Sequence, residues 1–87
     1  SSHAWQEVEG GKYRLISVNP YPELGESEIE VSMAGKVLAT LSTMDQSEVI
    51  VAVEGGRLAL KSRFVFDADC TGELSDYGGW VSISPSE

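Results

Sequence analysis

The residues of this chain that best fit a chemical role lie in one acidic segment, residues 67–76. Oxygen-bearing side chains recur there at alternate positions, and Gly72 stands where a loop would turn sharply. Calcium takes several hard oxygen ligands, and alternate side chains of one loop can converge on a single ion. The spacing therefore predicts a calcium ligand set, which consists of Asp67, Asp69, Thr71, Glu73 and Asp76.

The segment resembles the opening of a calcium loop of the EF-hand type, with Asp67 at position one and Gly72 at position six. It departs from that pattern at position five, which is Thr71, and at position twelve, where Gly78 replaces the bidentate glutamate. The preceding Phe64–Phe66 run is also typical of a strand, not a helix. A solvated acidic loop is the alternative interpretation. If calcium binds, we expect it to raise the unfolding midpoint, and we expect Asp69→Ala to abolish that shift.

Other chemistry finds little support, and the chain is predicted not to be an enzyme, with no catalytic residues. His3 is the single histidine and Cys70 the single cysteine, so an intramolecular disulfide is excluded. The carboxylates around Cys70 oppose formation of a reactive thiolate. We interpret Cys70 as a small, semi-buried side chain, with an intermolecular disulfide or a reactive thiol as the alternatives. No phosphate-binding or dinucleotide-binding glycine motif is present.

Length and charge limit the remaining functions. The 87 residues predict one domain, residues 1–87, with residues 1–3 disordered or left over from expression. Six basic residues stand against fourteen acidic ones, for a net charge of -8. Binding to nucleic acid or to an anionic membrane surface needs clustered Lys and Arg, so neither is expected. The acidity suits a basic protein partner, a divalent cation, or solubility alone.

Hydrophobic residues alternate with polar ones along nearly the whole chain, which predicts strands and no long helix. The fold class is therefore predicted to be all-β: a small antiparallel β-sandwich or barrel of about seven strands. Six of these strands are assigned to residues 12–18, 28–33, 36–43, 49–53, 57–66 and 79–84.

Paired glycines punctuate this pattern. Gly10-Gly11 and Gly55-Gly56 each lie between an acid and a base, and we predict a two-residue hairpin at each pair. Ala34-Gly35 is a third predicted hairpin. The run Val-Glu-Gly-Gly occurs twice, 45 positions apart (8 and 53). We interpret the repeat as a favoured turn used twice, with internal duplication as the alternative.

Aromatic side chains supply the other candidate contacts. Tyr21 lies between two prolines and is predicted to be exposed, whereas Trp5 and Trp80 are predicted to fill the core. The predicted function is a non-enzymatic protein-binding module of the inhibitor, immunity or adaptor type, which presents an acidic, aromatic loop surface to a protein partner. If charge guides binding, that partner is basic. The predicted contact residues are Tyr21, Asp67, Asp69, Asp76 and Tyr77.

Two alternatives stay open. One is an extracellular structural or carbohydrate-binding module with calcium stiffening the 67–76 loop. The other is an acidic mimic of nucleic acid, which requires the acidic segments 20–35 and 64–87 to be contiguous. The missing initiator Met favours a secreted or periplasmic protein, and the oligomeric state stays open.

Overall fold

A computed structural model describes residues 2–64 and 79–86 of the chain. The strands are β1 (Ser2–Val18), β2 (Ser27–Met33), β3 (Lys36–Ser42), β4 (Glu48–Phe64) and β5 (Trp80–Ser86), and a short 3-10 helix spans Pro22–Leu24. They form one antiparallel sheet in the order β3-β2-β4-β1-β5, which does not close. The all-β prediction is confirmed. None of the helices in these two ranges is long and apolar enough to span a membrane.

The prediction of about seven strands in a sandwich or barrel is not supported, because two predicted hairpins lie inside continuous strands. β1 and β4 each run for 17 residues and pair with each other over most of that length. Within that ladder the two Val-Glu-Gly-Gly runs face each other: Val8 lies opposite Gly56, and Gly11 lies opposite Val53. The glycines therefore mark a crossing point of two long strands. The predicted strands 49–53 and 57–66 are both parts of β4, and the predicted strand 12–18 is part of β1.

The crossing point divides the sheet into two halves. Residues 58–64 of β4 pair with β2, residues 58–62 also pair with β1, and β3 extends that half. In the other half, residues 12–18 of β1 pair with β5, and residues 12–16 also pair with β4. A straight strand of 17 residues would span about 55 Å, whereas the longest dimension of the molecule is 41 Å. The two long strands must therefore bend between the halves.

The buried face of these strands changes at the same place. On β4, Val51 is buried before the glycines and Leu58 after them. The residues that face the core are therefore odd-numbered before the glycines and even-numbered after them. Regular strands keep one parity on one face, but Gly55 and Gly56 have φ values of +101° and +128°, which interrupt the alternation. Both halves consequently contribute to one hydrophobic core, composed of Leu15, Ile29, Val31, Leu41, Val51, Leu58 and Val81.

The predicted Ala34-Gly35 hairpin is confirmed: it joins β2 to β3, with φ values of +52° and +81°. A positive φ is unfavourable for alanine, and a two-residue turn of this kind prefers Asn-Gly. We expect Ala34→Asn to raise the free energy of unfolding by about 0.5–1 kcal/mol, measured by urea denaturation. Thr40→Asn, at an exposed position within β3, is the control and should not stabilise.

Candidate functional site

Most of the predicted site residues lie outside the described ranges. These are Asp67, Asp69, Thr71, Glu73, Asp76 and Tyr77, and Cys70 lies outside as well. The calcium site and the acidic part of the contact surface therefore stay predictions. Within residues 2–64 and 79–86, no group of three acidic, histidine or cysteine side chains is arranged to hold a metal ion.

Tyr21 is the predicted contact residue that the structure describes, and its predicted exposure is confirmed: 47% of the residue is accessible. Its loop, residues 19–26, is organised by the side chain of Asn19. The Tyr21 amide donates to Asn19 Oδ1 (3.1 Å), and Asn19 Nδ2 donates to the carbonyl of Gly25 (2.9 Å) and to that of Thr43 (3.3 Å). One side chain thus shapes this loop and ties it to the loop that follows β3.

The loop after β3, residues 43–47, is fixed by buried hydroxyl groups. Ser17 Oγ on β1 accepts a hydrogen bond from the Ser47 amide (2.7 Å), and the Ser17 amide donates to the Ser47 carbonyl (2.9 Å). Thr43 Oγ1 accepts from the Ser27 amide (2.8 Å). Ser17, Ser27 and Thr43 are almost fully buried, and the bond between Ser27 and Thr43 is shielded from water. The anchored loop presents Met44, which is 60% exposed.

Gly79 and Trp80, at the start of β5, lie beside the first of these loops. Gly79 packs against the backbone of Val18 and Asn19, and Trp80 pairs with Val18. Trp80 is 51% exposed, so its predicted place in the core is wrong. We call residues 19–26, 43–47 and 79–80 together the loop end of the domain.

The loop end combines large apolar side chains with negative charge. Tyr21, Met44 and Trp80 are large side chains that it exposes. Its charged residues are Glu23, Glu26 and Asp45, and its sequence contains no Lys, Arg or His. Sequence reasoning identified Tyr21 but missed Met44 and Trp80. The signal that could have found them is the absence of Lys, Arg and His from all three segments, two of which also contain acidic residues.

Trp5 is also exposed rather than buried, at 60%. It lies on residues 2–9 of β1, where β4 is the neighbour on one side and no described strand lies on the other. Arg57 lies 5.2 Å from the centre of the Trp5 ring, and its Nε is 3.2 Å from Glu7 Oε2. The indole is therefore partly covered by a cation from the adjacent strand, in the half of the sheet away from β5.

We expect Trp5→Ala and Trp80→Ala each to lower the free energy of unfolding by about 1 kcal/mol or less, since surface changes have small effects. Truncation of a tryptophan in the core would remove about 3–5 kcal/mol. Urea denaturation, monitored by circular dichroism, measures the free energy of unfolding of the two variants. Ser82→Ala, at an exposed position, is the reference variant. A loss in the core range would contradict the exposure of that ring.

No family model, curated protein or solved structure matches this chain. The loop end is the described surface on which anchored loops, exposed aromatic groups and unbalanced charge coincide.

Proposed function

We propose that this chain is a non-enzymatic protein-binding module, of the inhibitor, immunity or adaptor type, and that its loop end contacts the partner. The exposure of Tyr21, Met44 and Trp80 on three adjoining segments carries the proposal. Tyrosine, tryptophan and methionine are enriched in the buried centres of protein interfaces. Tyr and Trp also provide large contact areas with few rotatable bonds to order.

The anchoring of the loops supports the same function. Asn19 shapes the first loop, while Ser17 and Thr43 hold the second. Loops that are already ordered lose little conformational entropy on binding, so more of the contact energy appears as affinity.

Charge indicates the kind of partner. Glu23, Glu26 and Asp45 are not balanced by any base within the loop end. A basic protein surface would be attracted to it, and the attraction would mainly accelerate association and weaken as salt rises. A partner with a basic rim around an apolar recess fits this surface best.

The immobilised domain can be tested against a phage-displayed peptide library, with Trp80→Ser/Met44→Ser as the loop-end variant and Trp5→Ser as the matched control. We expect the selected peptides to be basic and to contact the aromatic side chains of the loop end. They should lose affinity for the loop-end variant, keep it for the control, and bind more weakly at high salt. Selected peptides that bind the wild type and the loop-end variant equally would contradict the proposal, as would a selection without binders.

A carbohydrate-binding module is the second candidate, favoured by the exposed indole rings of Trp5 and Trp80. Quenching of tryptophan fluorescence by soluble oligosaccharides would support this function over protein binding. Calcium is added to the assay because this function includes a calcium-stiffened 67–76 loop. The nucleic-acid mimic gains no support from β2. There the register places Glu30 opposite Lys61, so this acid lies across from a base.

A further inference from the structure

A groove of about 430 Å³ lies between the β2–β3 hairpin and the middle of β4. Met33, Lys36 and Leu38 line it on the hairpin side, and residues 52–55 line it on the β4 side. The hairpin turn and the loop after β3 lie at opposite ends of β3, so the groove shares no residue with the loop end.

The groove follows the edge of β4 and not its face. Successive side chains of a strand point to opposite faces, so a cleft over one face would be lined by alternate residues. Four consecutive residues, 52–55, line this cleft instead. The backbone edge of β4 must therefore border it.

That edge has no partner among the described residues. The ladder between β2 and β4 ends where Met33 faces Leu58, because β2 turns away at Ala34. Before Leu58, the described pairing of β4 is with β1 alone, on its other side. An unpaired edge offers a row of amide donors and carbonyl acceptors to an added strand.

We propose that this groove binds an extended peptide segment of a second protein, which adds to β4 as a strand and continues the line of β2. The segment would lay alternate apolar side chains on Met33, Leu38 and Val53. This inference goes beyond the loop-end proposal and does not depend on it.

Charge indicates the sequence of the segment. Lys36 and Glu54 lie on the two walls of the groove, and neither forms an ion pair with any residue in the described ranges. A base in the segment would pair with Glu54, and an acid near its other end would pair with Lys36. The occupant is thus a short β-strand of branched apolar residues that carries one base and one acid. Opposite residues 52–56 it would cover about 17 Å.

The probe is a capped hexapeptide that alternates valine with polar residues and carries a lysine for Glu54. It is titrated into nitrogen-15-labelled protein, and amide shifts are followed by NMR. We expect shifts at residues 33–38 and 52–56, with a Kd below about 1 mM. The same peptide with methylated backbone nitrogens keeps its side chains but loses its donors, and we expect it to bind at least about tenfold more weakly.

Two variants complete the test. With Glu54→Lys, a peptide that carries glutamate in place of lysine should bind better than the lysine peptide, reversing the wild-type order. Glu23→Lys, in the loop end, should leave that order unchanged. Three results would overturn the inference: no shifts at millimolar peptide, equal binding of the methylated peptide, or shifts at the outer edges of β1 or β3. The loop-end proposal would survive each of them.

Discussion

Replacement of Gly79 by alanine is expected to lower the free energy of unfolding by at least about 3 kcal/mol. Gly79 has a φ of +86°, which a side chain disfavours. A Cβ there would also overlap the carbonyl oxygen of Val18 and lie 2.9 Å from the Cα of Asn19. These neighbours are backbone atoms, held by the pairing of Val18 with Trp80 and by the hydrogen bonds of Asn19. They cannot yield as a flexible side chain would.

Gly35→Ala is the matched control, because Gly35 has a similar φ of +81° but no heavy atom within 4 Å of the added Cβ. It should show the backbone strain alone, about 1–2 kcal/mol. Urea denaturation of both variants separates the strain from the steric overlap. Equal losses for the two would mean that β5 does not enter the sheet against Val18 and Asn19. That result would also remove Trp80 from the loop end.

Local patterns were sufficient for part of the fold. Ile29, Val31 and Met33 alternate with polar residues, and Ile29 and Val31 are buried in β2 as that pattern predicts. The Ala34-Gly35 turn follows directly and joins β2 to its neighbour β3. In this hairpin the residues that decide the structure are adjacent in sequence, so local reasoning succeeds.

The glycine pairs show where local reasoning fails. Gly10-Gly11, with Glu9 and Lys12 on either side, has the composition of a two-residue hairpin. The same residues also suit a bend in a long strand, since glycine tolerates positive φ and leaves room for a close backbone. The choice depends on pairing with residues 53–56, which lie far away in sequence. No local signal reports that pairing.

The tryptophans fail for a related reason. Hydrophobicity alone favours burial of Trp5, but burial requires a second layer over its strand. Residues 2–9 of β1 are outermost among the described strands of their half, so a described strand flanks Trp5 on one side only. In the site, Tyr21 was predictable because its flanking prolines determine a surface loop locally. Trp80 was not, because the other two segments of the loop end lie far from it in sequence.

The second large loss of stability is expected where the two glycine pairs cross. Gly55 has a φ of +101°, and a Cβ there would lie 3.1 Å from the Gly10 amide nitrogen. We expect Gly55→Ala to lower the free energy of unfolding by about 3 kcal/mol, from strain and crowding together. Gly56→Ala is the control for strain alone, because its φ is +128° with no atom within 4 Å, and it should lose about 1–2 kcal/mol.

A double-mutant cycle between positions 10 and 55 tests the crossing itself. A Cβ on Gly10 would lie 3.1 Å from the Glu54 carbonyl oxygen, so alanine at either position moves the same pair of backbones apart. Once one alanine has widened the gap, the second should cost less, and we expect a coupling of at least about 0.5 kcal/mol. Two separate hairpins would place these residues far apart, and the two losses would then simply add. The cycle is best measured in the Ala34→Asn background, whose added stability keeps the double variant folded. Coupling there would establish that two distant glycine pairs form one bend, and additivity would restore the two hairpins.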